Sequence, residues 1–142
     1  MENNDTTLSY NVAVENGLLY FTFRDELSIQ TILSSEAQAL NLLNAKKIEI
    51  LPFIVDLRAI NDQAVEVEVR DFGKIISSRA LFDRCSAVWI VGAKNNTKVL
   101  ATLLNKTFLG NRIQFVDSLE EANKAAEAQK KLKIPMLEQD IV

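Results

Sequence analysis

Histidine is absent from this sequence and cysteine occurs once. Without histidine there is no Ser–His–Asp triad, no Cys–His dyad and no imidazole to ligate a metal. A single cysteine forms no intramolecular disulfide. Glycine and proline are scarce, four and two in 142 residues, and no tract is dominated by them. That argues against linkers, low-complexity segments and fibrous architecture. No apolar run approaches the ~20 residues of a bilayer-spanning helix. The opening Met1-Glu2-Asn3-Asn4-Asp5 has neither the basic region nor the apolar region of a signal peptide. Positive charge is not in excess either: 16 Lys and Arg stand against 19 Asp and Glu, a net charge of −3. A surface that tracks phosphates needs a basic stripe, so nucleic acid is not an expected partner. These absences lead us to expect a cytoplasmic protein without catalytic residues, metal or cofactor.

What is present is the composition of a packed domain, 48% hydrophobic and 25% charged. The expected organisation is one domain over residues 1–132 with a tail at 133–142. Asn16-Gly17 suits a two-residue type I′ turn, in which both residues take positive φ. It predicts a hairpin of Tyr10 to Glu15 with Leu18 to Phe23. Ser28 predicts a helix N-cap, followed by the apolar stripe Ile29, Ile32, Leu33, Ala37, Leu40 and Leu43, with Lys46 and Lys47 at the C-terminal end. Pro52 opens an apolar strand, Phe53-Ile54-Val55, that ends at Asp56.

Residues 62–82 carry two periodicities. Val65-Glu66-Val67-Glu68-Val69 alternates as a strand does, while Val65, Val69, Phe72, Ile76 and Ala80 form a longer helical stripe. The longer signal is preferred, and a helix capped by Asn61 or Asp62 is expected. Ala87 to Gly92 reads as a strand. Asn95 or Asn96 then caps a helix carrying Val99, Leu100, Leu103, Leu104 and Phe108, with Gly110 just past its end. Ile113 to Val116 reads as a last strand. Ser118-Leu119-Glu120-Glu121 is a capping box that starts a final helix. The predicted fold is therefore α/β: an N-terminal β-hairpin followed by a right-handed βα superhelix, with a mainly parallel five-stranded sheet.

Open α/β sheets place their sites beyond the carboxyl ends of parallel strands. Two such ends are polar here. One holds Asp56, Arg58, Asn61 and Asp62. The other holds Gly92, Lys94, Asn95, Asn96 and Thr97, where free N–H groups at a helix start suit an anion. The competing reading of each is a capped, solvated loop. Cys85 precedes an apolar strand and reads as a small buried hydrophobe.

The stretch from Ala80-Leu81-Phe82 through Ala87-Val88-Trp89-Ile90-Val91-Gly92 to Phe115-Val116-Asp117-Ser118-Leu119-Glu120-Glu121-Ala122 resembles STAS domains. These are modules of bacterial anti-sigma factor antagonists and of anion-transporter tails. It is most similar to the bacterial STAS/Sec14-like group, and the shared topology covers about residues 9–130. The resemblance implies sequential strand order, no catalysis and a protein partner. In switchable members, a phosphorylatable Ser opens the helix after the third strand. Here that region reads Asn61-Asp62-Gln63-Ala64-Val65, without a hydroxyl; Ser77 and Ser78 are the nearest alternatives. Two functions stay open: a regulatory or protein-interaction module, and a Sec14-like carrier or sensor of a small apolar ligand or lipid. Because Leu18 to Phe23 and Ala87 to Val91 are apolar at nearly every position, both faces of the sheet need cover. The final helix, the tail or a ligand is one way to supply it. A homodimer contacting through Tyr20 and Trp89 is the expected one.

Overall fold

A computed structural model of the chain describes residues 9–77, 79–106 and 110–129. The elements run β1 (Tyr10–Glu15), β2 (Leu18–Ser28), α1 (Ile29–Lys46), β3 (Leu51–Glu66), a 3-10 turn (Val69–Asp71), α2 (Phe72–Ile75), α3 (Arg79–Phe82), β4 (Cys85–Val91), α4 (Asn95–Leu104) and β5 (Ile113–Val116). A final helix, α5, is described over residues 119–129. The sheet order is β1-β2-β3-β4-β5. β1 pairs antiparallel with β2, and every other pair is parallel. The expected Asn-Gly hairpin is present, with φ of 55° at Asn16 and 76° at Gly17. Ser28 caps α1 as expected: its hydroxyl accepts from the Thr31 N–H at 3.2 Å, and Thr31 Oγ1 accepts from the Ser28 N–H at 3.2 Å. Among the described residues no helix is long and apolar enough to cross a membrane. The expected domain boundary at residue 132, the tail at 133–142 and Phe108 lie outside the described residues.

The helix expected over 62–82 does not form as read. β3 continues as a strand to Glu66, and helical turns begin only at Val69. The reason is tertiary. β2 also runs on past Phe23 to Ser28, so its second half offers a backbone ladder; Val65 pairs with Leu27, and Glu66 with Ser28. The local alternation then follows the sheet: Val67 is buried, while Glu66 and Glu68 are exposed. The helical stripe survives only in fragments, with Phe72 and Ile75 buried. In α1 the buried face is Ser35, Glu36, Ala39 and Leu43, while Ala37 is exposed.

β3 is a central strand and is irregular in three places. At Pro52, which has no N–H to give, the pairing with β4 slips, so that Leu51 faces Cys85 but Phe53 faces Val88. On its other side β3 bulges against β2 between Asp56 and Ala59, and again between Ile60 and Val65. The second bulge pushes residues 61–64 out of the ladder.

Both faces of the sheet are covered by the chain itself. Leu19, Phe21, Phe23, Phe53, Leu57, Val88 and Ile90 face a core shared with α1, α2, α3 and α4. Leu18, Ile54, Ala87, Trp89 and Val91 face the opposite way and pack on Ala122 and Ala126 of α5. These two alanines stand one turn apart and are fully buried, which lets the helix sit close over Trp89. Tyr20 Oη donates to Asn123 Oδ1 at 2.6 Å and ties the edge of the same contact. This corrects the expectation for Trp89. At 4% exposure it is a core residue within one chain, and α5 supplies the cover that a second copy was invoked to give.

Replacing Gly17 by Val is expected to cost more than ~1 kcal/mol in urea unfolding, since a β-branched residue resists φ of 76°. A loss near zero would contradict the role assigned to this turn.

Candidate functional site

Asp56 to Asp62 do not form a loop beyond a strand end, as the sequence suggested. They lie within β3, and its two bulges give them their geometry. In the first bulge, Asp56 Oδ1 accepts from the Arg58 backbone N–H at 3.0 Å and from Nε at 2.9 Å, and Oδ2 accepts from Nη2 at 2.7 Å. Burial pushes the Asp56 carboxyl up, but the hydrogen bonds and charge from Arg58 outweigh it and hold the group below the ordinary carboxylate value. The Asp56 hydrogen bonds in turn raise Arg58. In the second bulge, Asn61 Oδ1 accepts from the Gln63 N–H at 3.0 Å, an Asx-type turn that leaves Asp62 projecting.

Asp62 does cap a helix, but it caps α4 rather than one of its own. Its Oδ1 and Oδ2 accept from the Asn96 N–H at 3.1 and 3.0 Å, and Oδ1 accepts from the Thr97 N–H at 3.2 Å. Asn96 Nδ2 returns a bond to the Asp62 carbonyl at 3.0 Å. The helix starts at Asn95, with Lys94 in the N-cap position. Lys94 has no side-chain acceptor, so the carboxylate from β3 supplies the cap that neither Asn95 nor Asn96 provides. Lys94 Nζ donates to the Ile60 carbonyl at 3.1 Å. The Lys94 N–H donates to Thr97 Oγ1 at 2.8 Å. Gly92 takes φ of 71°, and a Cβ there would stand 3.1 Å from Arg58 Cα, so its place is set by the close approach of the end of β4 to the first bulge of β3. The two polar ends read separately from the sequence thus form one rim. At this helix start, the anion is the chain's own Asp62.

Beneath the rim lies an apolar chamber of about 160 Å³. Its floor is the sheet, including Phe21, Phe53 and Ile90. One wall comes from α1, α2 and α3, and the other is the inner face of α4, Leu100, Ala101 and Leu104. Among the described residues three polar side chains line it: Ser35, Glu36 and Thr97. Ser35 Oγ donates to the Ile32 carbonyl at 2.7 Å, and Thr97 Oγ1 donates to the Lys94 carbonyl at 3.2 Å. Glu36 is different. It is 6% exposed, and its Oε1 has no hydrogen-bond partner. Burial pushes its carboxyl up to about 8, with no charged neighbour contributing. The sequence reading passed over Glu36. The signal was its position: four residues after Ile32 and three before Ala39, it sits on the apolar stripe of α1.

Of the proposed alternative phosphate acceptors, Ser77 donates to the Lys74 carbonyl at 2.7 Å, and Ser78 lies outside the described residues. The leading hairpin, the sequential strand order and the alternation of parallel strands with helices make this a STAS-like fold. No family model matches the sequence. No curated protein matches it either. Seven solved chains match in structure. One is the structure of the anti-sigma factor antagonist SpoIIAA in its unphosphorylated form. It aligns at 12% identity over 87% of this chain and 97% of that one, with a TM-score of 0.46.

The raised Glu36 carboxyl sets a pH dependence. The unfolded chain releases this proton near 4.5 and the folded chain only near 8. The contribution of Glu36 to stability is therefore full below about 4.5, declines as pH rises through that interval, and levels off above 8. The total decline is on the order of a few kcal/mol. Glu36→Gln is expected to flatten the difference in urea midpoint between pH 5 and pH 8. An unchanged slope in the variant would show that another group sets it.

Proposed function

We propose that this chain is a non-catalytic, STAS-like regulatory module that acts by binding a protein partner, and that the α4 edge is its contact face. The observation that carries this reading is where apolar surface is left exposed. Among the described residues four large hydrophobic side chains are exposed, and three of them fall here: Val69 at 58%, Val99 at 60% and Leu103 at 40%. Val99 and Leu103 stand one turn apart on the outer face of α4. The 3-10 turn that carries Val69 packs against α4. Asn95, Lys98 and Thr102 border the α4 pair and give the patch a polar rim, the usual anatomy of a protein contact. The polar groups of the β3 bulges are engaged within the chain, Asp56 with Arg58 and Asp62 with α4. That suits a fixed platform better than an acid–base pair. The stretch Asn61 to Val65 has no hydroxyl and is built into the β3 bulge, so control by phosphate at that point forms no part of this reading.

The chamber favours a second role for the same module: uptake of a small apolar ligand, as a carrier or sensor. Its lining is almost wholly hydrocarbon, and pockets of that kind take apolar molecules oriented by a few polar groups.

A photo-crosslinking residue placed at position 99 or 103 is expected to capture the same partner polypeptide in cells. The same residue at position 30, on the exposed side of α1, is expected to capture none of it. Equal capture from position 30, or none from either α4 position, would contradict the assignment of this face.

A further inference from the structure

We propose that the chamber binds a compact neutral alcohol or phenol whose hydroxyl pairs with Glu36; the proposal rests on the ligand-uptake reading above and specifies its chemistry. Size sets the first limit. A hydrocarbon-lined cavity of ~150 Å³ holds a benzene molecule, and this chamber measures about 160 Å³. The part of the ligand that this space takes in is then about the size of a benzene ring.

The second limit is polarity. Ser35 and Thr97 spend their hydroxyl protons on backbone carbonyls. Among the described lining side chains, Glu36 carries the buried polar atom left without a partner, its Oε1. A buried polar atom without a partner is costly, and a ligand that supplies one recovers that cost on binding. Burial alone accounts for the raised Glu36 carboxyl, which leaves it a neutral acid at pH 7 with one O–H to donate and one carbonyl oxygen to accept. A hydroxyl has the complementary pair, a lone pair and a proton. Charge is the third limit. Among the described residues no Lys or Arg lines the chamber, so a carboxylate or phosphate head would meet no cation there to offset the cost of desolvation.

Four probes of similar size and different head test this by NMR titration at pH 7: p-cresol, toluene, benzoate and benzylamine. p-Cresol is expected to bind, with shifts at the methyl groups of Leu100, Ala101 and Leu104, and neither ion is expected to bind as well. Glu36→Leu, which replaces an unpartnered buried acid by a hydrocarbon, is expected to weaken p-cresol about tenfold while leaving toluene unchanged or tighter. Glu36→Gln, which keeps a donor and an acceptor, is expected to hold p-cresol within about threefold of the native affinity. If Glu36→Leu does not fold, Glu36→Met, which keeps the length of the side chain without the acid, takes its place in the same comparison of p-cresol with toluene. If no probe binds, the ligand-uptake reading fails and the proposal with it. If p-cresol and toluene respond alike to every substitution, the hydroxyl assignment fails and ligand uptake stands. Tightest binding by benzylamine or benzoate would overturn the neutral head.

Discussion

The carboxylate of Asp62, seated on the first turn of α4, is the contact on which both proposed surfaces depend. At ten residues, α4 is too short to hold its shape in isolation. It has a packed inner face but no cap of its own. β3 provides that cap from a bulge, so the helix is fixed to the most central strand of the sheet. Lys94 reinforces the junction by reaching back to the Ile60 carbonyl. The inner face of α4 then becomes a wall of the chamber, and its outer face carries Val99 and Leu103. A ligand that alters the inner face acts on the same helix that presents the outer one. This gives a short physical route between the two proposed roles.

The division of labour between the two sheet faces follows from helix composition. α5 meets the sheet with Ala122 and Ala126, small enough to close over Leu18, Ile54 and Trp89. On the other face, short helices and a capped α4 meet a floor of large side chains, Phe21 and Phe53 among them. Small residues bring α5 close onto the Trp, whereas the second arrangement leaves a chamber. The acid inside it, Glu36, is held on a regular helix and not on a loop, so its position is set by the packing of α1.

Much of this was legible in the sequence where signals were local. Asn16-Gly17, Ser28, Ile113 to Val116 and the Ser118 capping box all gave their elements correctly, because each depends on residues a few positions apart. The failures came where the deciding partner was distant. Val65 to Val69 alternates as a strand, and its first two residues are held in one by the ladder of β2 beyond Phe23, which no window around residue 65 contains. Asp62 looked like an N-cap and is one, but its helix begins more than thirty residues later. Trp89 sat in a run apolar on both sides, and the missing cover was the final helix. Glu36 was hidden by its type, since an acid on a helix is ordinarily solvated.

The central claim is that Asp62 holds α4 in place, and hydrogen exchange at two amides tests it most directly. In the native protein the Asn96 and Thr97 N–H groups are bonded to Asp62. In Asp62→Ala the account predicts that these two amides exchange at least about fivefold faster, the equivalent of a lost cap of ~1 kcal/mol. The ladder amides of Val55 and Ile90 should keep their protection. Unchanged protection of Asn96 and Thr97 in the variant would contradict the account.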